Sequence, residues 1–545
     1  MIRPPSPAIL AVAMNFRLTA IQLFVRVTCS VVWAWLFLAT AAPAMARQVP
    51  ITIVHTTDLH GHVWPARDYD GNEGVGGLLR AATVITQWRE QHPHLLLVDC
   101  GDLYQGAIES YLTEGQIMNA ALEWLGYDAW VLGNHEFDWG LDVLARAVRA
   151  SPAPVLAANM QPRPGTAHPL PQVRPYLIRQ VEGVRVALVG LTTDAIPNWS
   201  RPHLLGDLIF TDSVDALRRW LPHIRAERPD VMVLLAHQGF RPFGDSPANQ
   251  INRIARHFPE FDLILGGHSH QAQAQARVNG IPYSQAGYYG IWVGKATLVY
   301  DTVTRTVIDH QLELAEIDAH VPKHAGLQDA LQEDLERARR LGSQAIGVAT
   351  QHGSYRSRYP GHSAIQQLIA GALARAAGTP IALHGILAAE ELSAGTVYER
   401  DLWRIVPYEN TIGVLQLTAA DIRAILEDNA LLDRSSTQFL GVYGLRYELH
   451  GYAPPGERVR HLRHANGDPI HPRARLPVAL NSYVLASGGL RFPAARRLAD
   501  DPITRLHWVG QDTRSAVRAY IKQHSPLTLD AEPAVEWFPS PPPSP

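Results

Sequence analysis

The feature that most restricts the fold of this chain is a series of short apolar runs that alternate with amphipathic stretches. Continuously apolar runs of this length are typical of strands buried on both faces. They cover residues 51–56, 95–98, 129–132, 184–191, 231–236 and 263–265. Stretches with helical periodicity lie between several of them, for example at 77–90 and 214–228. The alternation predicts a layered α/β domain, which a further strand at 291–300 closes.

Length and charge limit the classes of function. The chain has 545 residues, of which 46% are hydrophobic and 18% charged, so it can form more than one domain with an ordinary core. Its formal net charge of −3 gives no basic surface of the kind that long nucleic acids need. We expect a small anionic partner instead, for which a bound metal can supply the local positive charge.

Residues 1–46 have the features of an export signal. An apolar run at 21–42 follows a segment whose only charges are two arginines, and the pattern Ala44-Met45-Ala46 is typical of a cleavage site. We therefore expect a bacterial periplasmic or secreted protein without a membrane span after cleavage, and Met14 is an alternative start. A retained membrane anchor is the other interpretation. Cleavage leaves Cys100 as the single cysteine, so no intrachain disulfide is expected.

The remainder of the chain divides into two domains. The expected division is a first domain at 47–322, a linker helix at 323–345, a smaller α/β domain at 346–538 and a proline-rich tail at 539–545. In the linker, leucines recur at helical spacing and charged residues fill the opposite face, which predicts one helix that Gly342 ends. In the second domain, Thr418 and Asp421 have the spacing of a capping box at a helix start.

Polar clusters follow five of the apolar runs, where each expected strand ends. They are Asp58-Leu59-His60, Asp99-Cys100-Gly101-Asp102, Gly133-Asn134-His135-Glu136-Phe137-Asp138, His237-Gln238-Gly239 and Gly266-Gly267-His268-Ser269-His270. Loops at the carboxyl ends of sheet strands are where sites are assembled. The carboxylate, imidazole and amide groups suit zinc, manganese or iron rather than calcium. Taken alone, such a cluster is more often a surface turn, an exposed loop or a core histidine than a metal site, but five in succession indicate a metal site.

The order of these clusters resembles that of the calcineurin-like metallophosphoesterases. The longer stretches 56–62 and 133–138 are similar to the 5′-nucleotidase branch, and the resemblance covers essentially all of 50–538. It implies a layered sandwich with helices outside, joined by a helix to a second α/β domain. The metal ligands that it implies are Asp58, His60 and His270 for one divalent ion, Asn134, His237 and His268 for another, and Asp102 between the two.

The resemblance also implies a reaction. A water that bridges two cations roughly 3.5–4 Å apart becomes a hydroxide that attacks phosphorus in line. In the family, the counterpart of His135 faces the phosphoryl group, and Asp138 would orient this imidazole and favour its charged form. The alternative is that His135 only packs beside the turn.

The second half matches the family in part. Residues 407–410 and the segments around Phe439 and Phe492 resemble a nucleoside site in which two rings sandwich a base, a contact worth about 1–3 kcal/mol. The alternative for both rings is a place in the core. The family's Asn-Gly-Gly-Gly-Ile-Arg stretch is replaced by Leu-His-Gly-Ile-Leu-Ala-Ala at 383–389. The missing arginine normally helps to hold the substrate's anionic end, and its candidate replacements are Arg491, Arg356 and Arg358.

The leading hypothesis is an exported dimetal enzyme that hydrolyses nucleotide phosphomonoesters. A second is a phosphodiesterase acting on 2′,3′-cyclic nucleotides, or a nucleotide-sugar hydrolase, with the same metal centre. A third is a metal-binding protein without turnover, which the intact pair of His135 and Asp138 disfavours. A fourth is a thiosulfohydrolase of sulfur oxidation, whose counterpart of residues 133–136 departs from the form kept in this chain.

Overall fold

The computed structural model describes residues 47–357, 359–529 and 533–540. The expected signal segment, Arg358 and the last five residues of the proline-rich tail therefore lie outside the described residues. Within those three ranges, no helix is both long enough and apolar enough to cross a bilayer.

Two six-stranded sheets form most of the first half. In chain order the strands are β1 (Gln48–Thr56), β2 (Ala66–Arg67), β3 (Glu73–Val75), β4 (Leu96–Asp99), β5 (Ala129–Val131), β6 (Val155–Leu156), β7 (Met160–Pro162), β8 (Tyr176–Val181), β9 (Val184–Leu191), β10 (Leu208–Phe210), β11 (Val231–Ala236), β12 (Leu263–Gly266), β13 (Ala272–Val278), β14 (Ile281–Ala286), β15 (Trp292–Asp301) and β16 (Thr306–Glu316). One sheet has the order β16-β15-β1-β4-β5-β6 and the other β13-β14-β12-β11-β9-β8. Strands β1, β4, β5 and β6 run parallel, as do β9, β11, β12 and β14.

The two sheets pack against each other, with helices on both outer faces. Ile53 of β1, Val98 of β4 and Leu235 of β11 share one fully buried core between the sheets. Their neighbours along the strands, such as Val54 and Leu234, are buried in separate cores that include the helices. This burial on both faces is why the strands are continuously apolar. The predicted sandwich with outer helices is confirmed.

The helices of the first half cover these outer faces. They are α1 (Leu78–Gln91), α2 (Ile108–Leu112), α3 (Gln116–Leu125), α4 (Leu141–Ala150), α5 (Pro202–Leu205), α6 (Ser213–Ala226) and α7 (Ile251–His257). Helices α1 and α3 pack on the sheet that contains β1, and α6 and α7 pack on the other. Helix α6 begins after Asp212, whose carboxylate accepts hydrogen bonds from the N–H groups of Val214 and Asp215 at 3.0 and 3.1 Å.

The connection between the halves differs from the single helix that the sequence predicted. It consists of α8 (Ala325–Ala330) and α9 (Gln332–Gly342), which are separated at Leu331. The backbone of Leu331, with φ −106° and ψ 8°, leaves the helical region. The side chains of Leu327, Leu331 and Leu335 are all buried in the core that contains α1. The leucine spacing therefore indicates that one face of this segment is buried, but it does not require an unbroken helix.

A five-stranded sheet is the centre of the second half. The elements are β17 (Ala345–Ala349), α10 (Ala364–Ala377), β18 (Ile381–His384), β19 (Gly395–Tyr398), α11 (Glu399–Ile405), β20 (Thr411–Leu417), α12 (Ala419–Asn429), β21 (Gly441–Tyr443), β22 (Leu445–His450), β23 (Val459–His464), β24 (Leu476–Asn481), α13 (Ser482–Leu485), α14 (Pro493–Asp500), β25 (His507–Asp512), α15 (Thr513–His524) and β26 (Val535–Phe538). The sheet order is β21-β18-β24-β20-β25, with α10 and α15 in one core and α12 and α14 in the other. The predicted capping box of α12 is confirmed, because Thr418 and Asp421 exchange hydrogen bonds at 2.9 and 3.2 Å.

Candidate metal centre

Loops that follow five strands bring the predicted ligands together at one edge of the sandwich. Strands β1, β4 and β5 of one sheet and β11 and β12 of the other end there. In that order of strands, the side chains are Asp58 and His60, Asp102, Asn134, His237, and His268 and His270. Both sheets therefore contribute, and the site lies where their carboxyl ends meet.

Asp58, His60 and His270 form a first group, whose ligand atoms all lie within 4.8 Å of one another. Nε2 of His270 is 3.1 Å from Nε2 of His60 and 3.3 Å from Oδ1 of Asp58. Thr57 and the backbone N–H of His268 donate to the Asp58 carboxylate at 2.6 and 3.0 Å, which fixes its orientation. Two imidazole nitrogens and a carboxylate oxygen thus converge on one point.

Asp102, His237 and His268 form a second group with the same spacing. Nε2 of His237 is 3.1 Å from Oδ2 of Asp102 and 3.2 Å from Oδ1 of Asn134, so the amide oxygen joins this group. The same oxygen of Asp102 lies 3.8 Å from Nε2 of His60 in the first group. Asp102 is therefore the member of the second group that approaches the first.

The buried charges of the two groups indicate whether divalent metal ions suit this site. Asp58 and Asp102 are 0% and 1% exposed. Burial would raise the pKa of Asp102, but His237 and His135 hold it well below its usual value. Burial would likewise lower the pKa of His237, which Asp102 raises to about 10. Buried carboxylates are costly unless cations neutralise them, and this set of carboxylates, imidazoles and one amide fits divalent metal ions.

Five of the seven predicted ligand residues have a left-handed backbone. Their φ angles lie between 48° and 69°, at Asp58, His60, Asp102, His268 and His270. For residues other than glycine, such a conformation costs about 1–3 kcal/mol and persists only where the surroundings enforce it. The packing here is tight: a Cβ atom on Gly133 would lie 2.2 Å from Oδ1 of Asp102, and one on Gly267 would lie 2.4 Å from Oγ1 of Thr57.

Glu136, to which the sequence analysis gave no role, holds the loop that carries Asp102. Its side chain is buried, and its carboxylate accepts hydrogen bonds from the backbone N–H groups of Asp102, Leu103, Tyr104 and Gly133 at 2.6 to 3.1 Å. Its place within the 133–138 cluster is the sequence feature that could have indicated this role. A carboxylate buried at such a turn needs several hydrogen-bond donors, and the backbone N–H groups nearby provide them.

His135 and Asp138 form a pair beside the two groups. Nδ1 of His135 is 2.6 Å from Oδ2 of Asp138, and the ring of Tyr408 from the second half stacks on the imidazole at a centroid distance of 5.1 Å. Burial would lower the pKa of His135, but Asp138 and Asp102 raise it to about 9. Asp138 therefore orients the imidazole and favours its charged form, which suits a general acid or a charge stabiliser.

Two cavities adjoin these groups, and residues of both halves line each. The first, about 430 Å³, is lined by residues that include Asn134, His135, Trp199, His268, Tyr408, Tyr483 and Arg491. The second, about 830 Å³, is lined by residues that include His60, Tyr69, Tyr289, Tyr355, Arg356, Arg404 and Tyr408. Tyr408 lines both cavities, so the two spaces adjoin each other at this residue.

The two phenylalanines of the expected base clamp lie elsewhere. Phe439 and Phe492 are 1% and 0% exposed and belong to the hydrophobic core of the second half instead of to either cavity. Burial of a large apolar ring in a core gains more than exposure in a wet cleft. Arg491 does line the first cavity and Arg356 the second. The aromatic residues at the first cavity are instead Trp199, Tyr408 and Tyr483.

Phe492→Ala is expected to destabilise the second half by about 3–5 kcal/mol, because it empties a fully buried site. Chemical unfolding followed by fluorescence measures this loss. The Michaelis constant of the protein that remains folded should stay unchanged. Tyr483→Ala is the matched comparison, since Tyr483 is an aromatic residue that does line the first cavity. A raised KM without loss of stability in Phe492→Ala would return this ring to the substrate site.

Two family models match the chain. Residues 51–272 match the calcineurin-like phosphoesterase model, and residues 345–497 match the model described as 5′-nucleotidase, C-terminal domain. The first of these regions contains every residue of the two groups, and the second contains Tyr408, Tyr483 and Arg491. Residues of both matched regions therefore line the cavities.

Curated relatives and solved structures agree with these matches. The chain is 25% identical over 508 residues to endonuclease YhcR of Bacillus subtilis, which covers 88% of this chain and 40% of that protein. It is also 25% identical over 597 residues to a 2′,3′-cyclic-nucleotide 2′-phosphodiesterase/3′-nucleotidase of Yersinia enterocolitica, covering 92% of this chain and 90% of the relative. The chain thus spans about two fifths of the first relative. The crystal structure of a 5′-nucleotidase precursor from Thermus thermophilus superposes with a TM-score of 0.71 at 23% identity, over 90% of this chain and 100% of that one, and has the same fold.

Proposed function

Because the chain belongs to the 5′-nucleotidase family, with a calcineurin-like phosphoesterase region followed by a 5′-nucleotidase C-terminal domain, we propose that it hydrolyses nucleotide phosphomonoesters with the aid of two divalent metal ions. The observation that carries the proposal is the convergence of two His/Asp groups, which Asp102 links, beside the pair of His135 and Asp138. A site with this donor set and a neighbouring cavity suits attack on a phosphate ester.

The residues of the two groups have distinct tasks in this mechanism. The seven ligand residues would hold the two metal ions, with Asp102 shared between them. Metal ions bound there would lower the pKa of a water molecule and neutralise charge on the phosphoryl oxygens. The backbone N–H of His135 donates to Oδ1 of Asp102 at 2.8 Å, so the loop after β5 and the shared carboxylate are held together.

His135 and the second half act on the rest of the substrate. His135, which Asp138 orients and whose charged form it favours, supplies a proton or positive charge as the ester bond breaks. Tyr408 fixes the plane of this imidazole by stacking on it. Arg491 brings positive charge to the first cavity and is suited to an anionic group of the substrate. Tyr483 and Trp199 offer aromatic surface for a base.

A second candidate function is the hydrolysis of a phosphodiester, such as a 2′,3′-cyclic nucleotide or a nucleotide sugar. The second cavity favours it, since that space adjoins His60 and could receive the second substituent of the phosphorus. The name of the Yersinia relative supports the same candidate. A metal-binding protein without turnover has less support, because the pair of His135 and Asp138 at 2.6 Å has no task in it.

A substrate panel tests the proposal. The protein is loaded with manganese or zinc and assayed on AMP, 2′,3′-cyclic AMP, UDP-glucose and p-nitrophenyl phosphate. We expect the kcat/KM for AMP to exceed that for p-nitrophenyl phosphate by roughly tenfold or more, because stacking of the base adds about 1–3 kcal/mol. A preference for either diester would select the second candidate. Two bound metals without hydrolysis of any ester would favour the binding protein.

We also propose the domain division and the export that the sequence predicts. The two matched regions support domains at 47–322 and 346–538 with the linker between them. Export with cleavage after Ala46 rests on the apolar run and the pattern Ala44-Met45-Ala46, which lie outside the described residues. N-terminal sequencing of the natural protein decides the cleavage point.

A further inference from the structure

Three ligand histidines have an oxygen atom at the ring nitrogen that faces away from the two groups. Nδ1 of His60 and Nδ1 of His237 each lie 2.8 Å from a backbone carbonyl oxygen. Nδ1 of His270 lies 2.6 Å from the hydroxyl oxygen of Tyr69. In all three residues Nε2 is the nitrogen that faces the ligand cluster. Among these three, His270 alone has a side chain as its partner, and a side chain can be substituted.

The position of Tyr69 is fixed from two directions. It lies in the loop between β2 and β3, where its backbone N–H donates to the hydroxyl of Tyr288 at 3.1 Å. Its ring stacks on that of Tyr288, with a centroid distance of 4.2 Å and an interplanar angle of 13°. The imidazole of His270 is nearly parallel to both rings. The hydroxyl of Tyr69 is therefore held against Nδ1 by contacts that do not involve the hydroxyl itself.

The chemistry of imidazole gives this contact a consequence. A neutral histidine can bind a metal ion through Nε2 only if the proton is on Nδ1, and the partner of Nδ1 selects that tautomer. We propose that Tyr69 is a positioning residue, whose hydroxyl accepts the Nδ1–H of His270 and so keeps Nε2 directed at Asp58 and His60. The inference rests on the proposed function, because it concerns the affinity of the first group for a metal ion.

Tyr69→Phe tests the inference, since it removes the hydroxyl and keeps the stacked ring. Tyr69 is 61% exposed, so the substitution leaves the hydrophobic core intact. The metal-free protein is titrated with Zn²⁺ in competition with a chromophoric chelator, which resolves the two equivalents without any assay of activity. Loss of such a hydrogen-bond partner typically costs about 10–100-fold in metal affinity. We expect one equivalent of Zn²⁺ to bind about 10–100-fold more weakly and the other to keep its affinity.

Tyr355→Phe is the matched control. Tyr355 lines the second cavity, as Tyr69 does, but its hydroxyl accepts a hydrogen bond from the guanidinium of Arg356 at 2.8 Å. Both equivalents of Zn²⁺ should therefore keep their affinities in this variant. Unchanged binding in Tyr69→Phe, or equal weakening of both equivalents, would overturn the positioning role. A wild-type protein that binds no Zn²⁺ would overturn the proposed function itself, whereas two equivalents in the wild type and an unaffected variant would overturn this inference alone.

Discussion

Asp102→Asn is expected to deplete both metal ions and to lower kcat/KM by roughly 10³-fold or more, since a metal centre supplies several kcal/mol of charge stabilisation. One oxygen of Asp102 approaches a histidine of each group, at 3.1 and 3.8 Å, so both groups lose their shared charge. Asparagine keeps the shape of the side chain and tolerates the left-handed backbone at φ 56°. Elemental analysis and a phosphatase assay on the same sample measure the two effects.

Asp99→Asn is the control for this substitution. Asp99 ends β4, is fully buried and accepts hydrogen bonds from Thr56 and from the N–H of Gly101 at 2.7 and 2.8 Å. Burial raises the pKa of Asp99 well above its usual value. Asparagine keeps the shape of this side chain and one of its two acceptor oxygens. This variant should keep its metals. If Asp102→Asn also kept both metals and normal turnover, the shared role of Asp102 would be excluded.

His135→Ala should lower kcat by roughly 10²–10⁴-fold and leave the metal content unchanged. The residue belongs to neither group of ligands, and its ring is instead paired with Asp138 and stacked on Tyr408. Loss of the ring would remove the imidazole that we propose acts on the ester, while the proposed metal ligands stay in place. Steady-state kinetics and elemental analysis separate the two effects.

Asp138→Asn provides the comparison for His135→Ala. The carboxylate acts through the imidazole, so we expect a smaller loss of kcat, and the double variant should be no worse than His135→Ala alone. Additive losses would give Asp138 a separate task. A His135→Ala variant that sheds a metal ion would make His135 a ligand, and an unchanged kcat would remove it from the chemistry.

The positions of the candidate metal ligands follow from local sequence to an unusual extent. Each apolar run marks a strand with two buried faces. His237 comes directly after its strand, and Asp58 is the second residue after its own. The end of a strand fixes where the following residue lies, so order along the chain translates into position along the sheet edge. The fold class could be predicted for the same reason, because the alternation of apolar runs with helical stretches can be read from neighbouring residues in the sequence.

Features that depend on contacts between residues far apart in the sequence could not be predicted in this way. The residues on either side of Phe492 in the sequence resemble those of a substrate contact, but an apolar ring fits a core equally well. Phe492 is buried in a core that also contains residues of β18, β20 and β24. Tyr69 and His270 are 201 positions apart, and no periodicity links them. The backbone leaves the helical region at Leu331 while its side chain stays buried with its neighbours in the core that contains α1. Each of these outcomes is set by tertiary contacts.

The left-handed backbone at the ligand positions has an evolutionary consequence. Glycine adopts this conformation without steric cost, so mutation of Asp58 or His270 to glycine would relieve strain and delete a ligand at the same time. Selection for a robust fold and selection for turnover therefore oppose each other at the same few codons. A lineage freed from the need for catalysis would drift toward glycine only at those positions where the relieved strain exceeds the cost of the hydrogen bonds that the side chain makes.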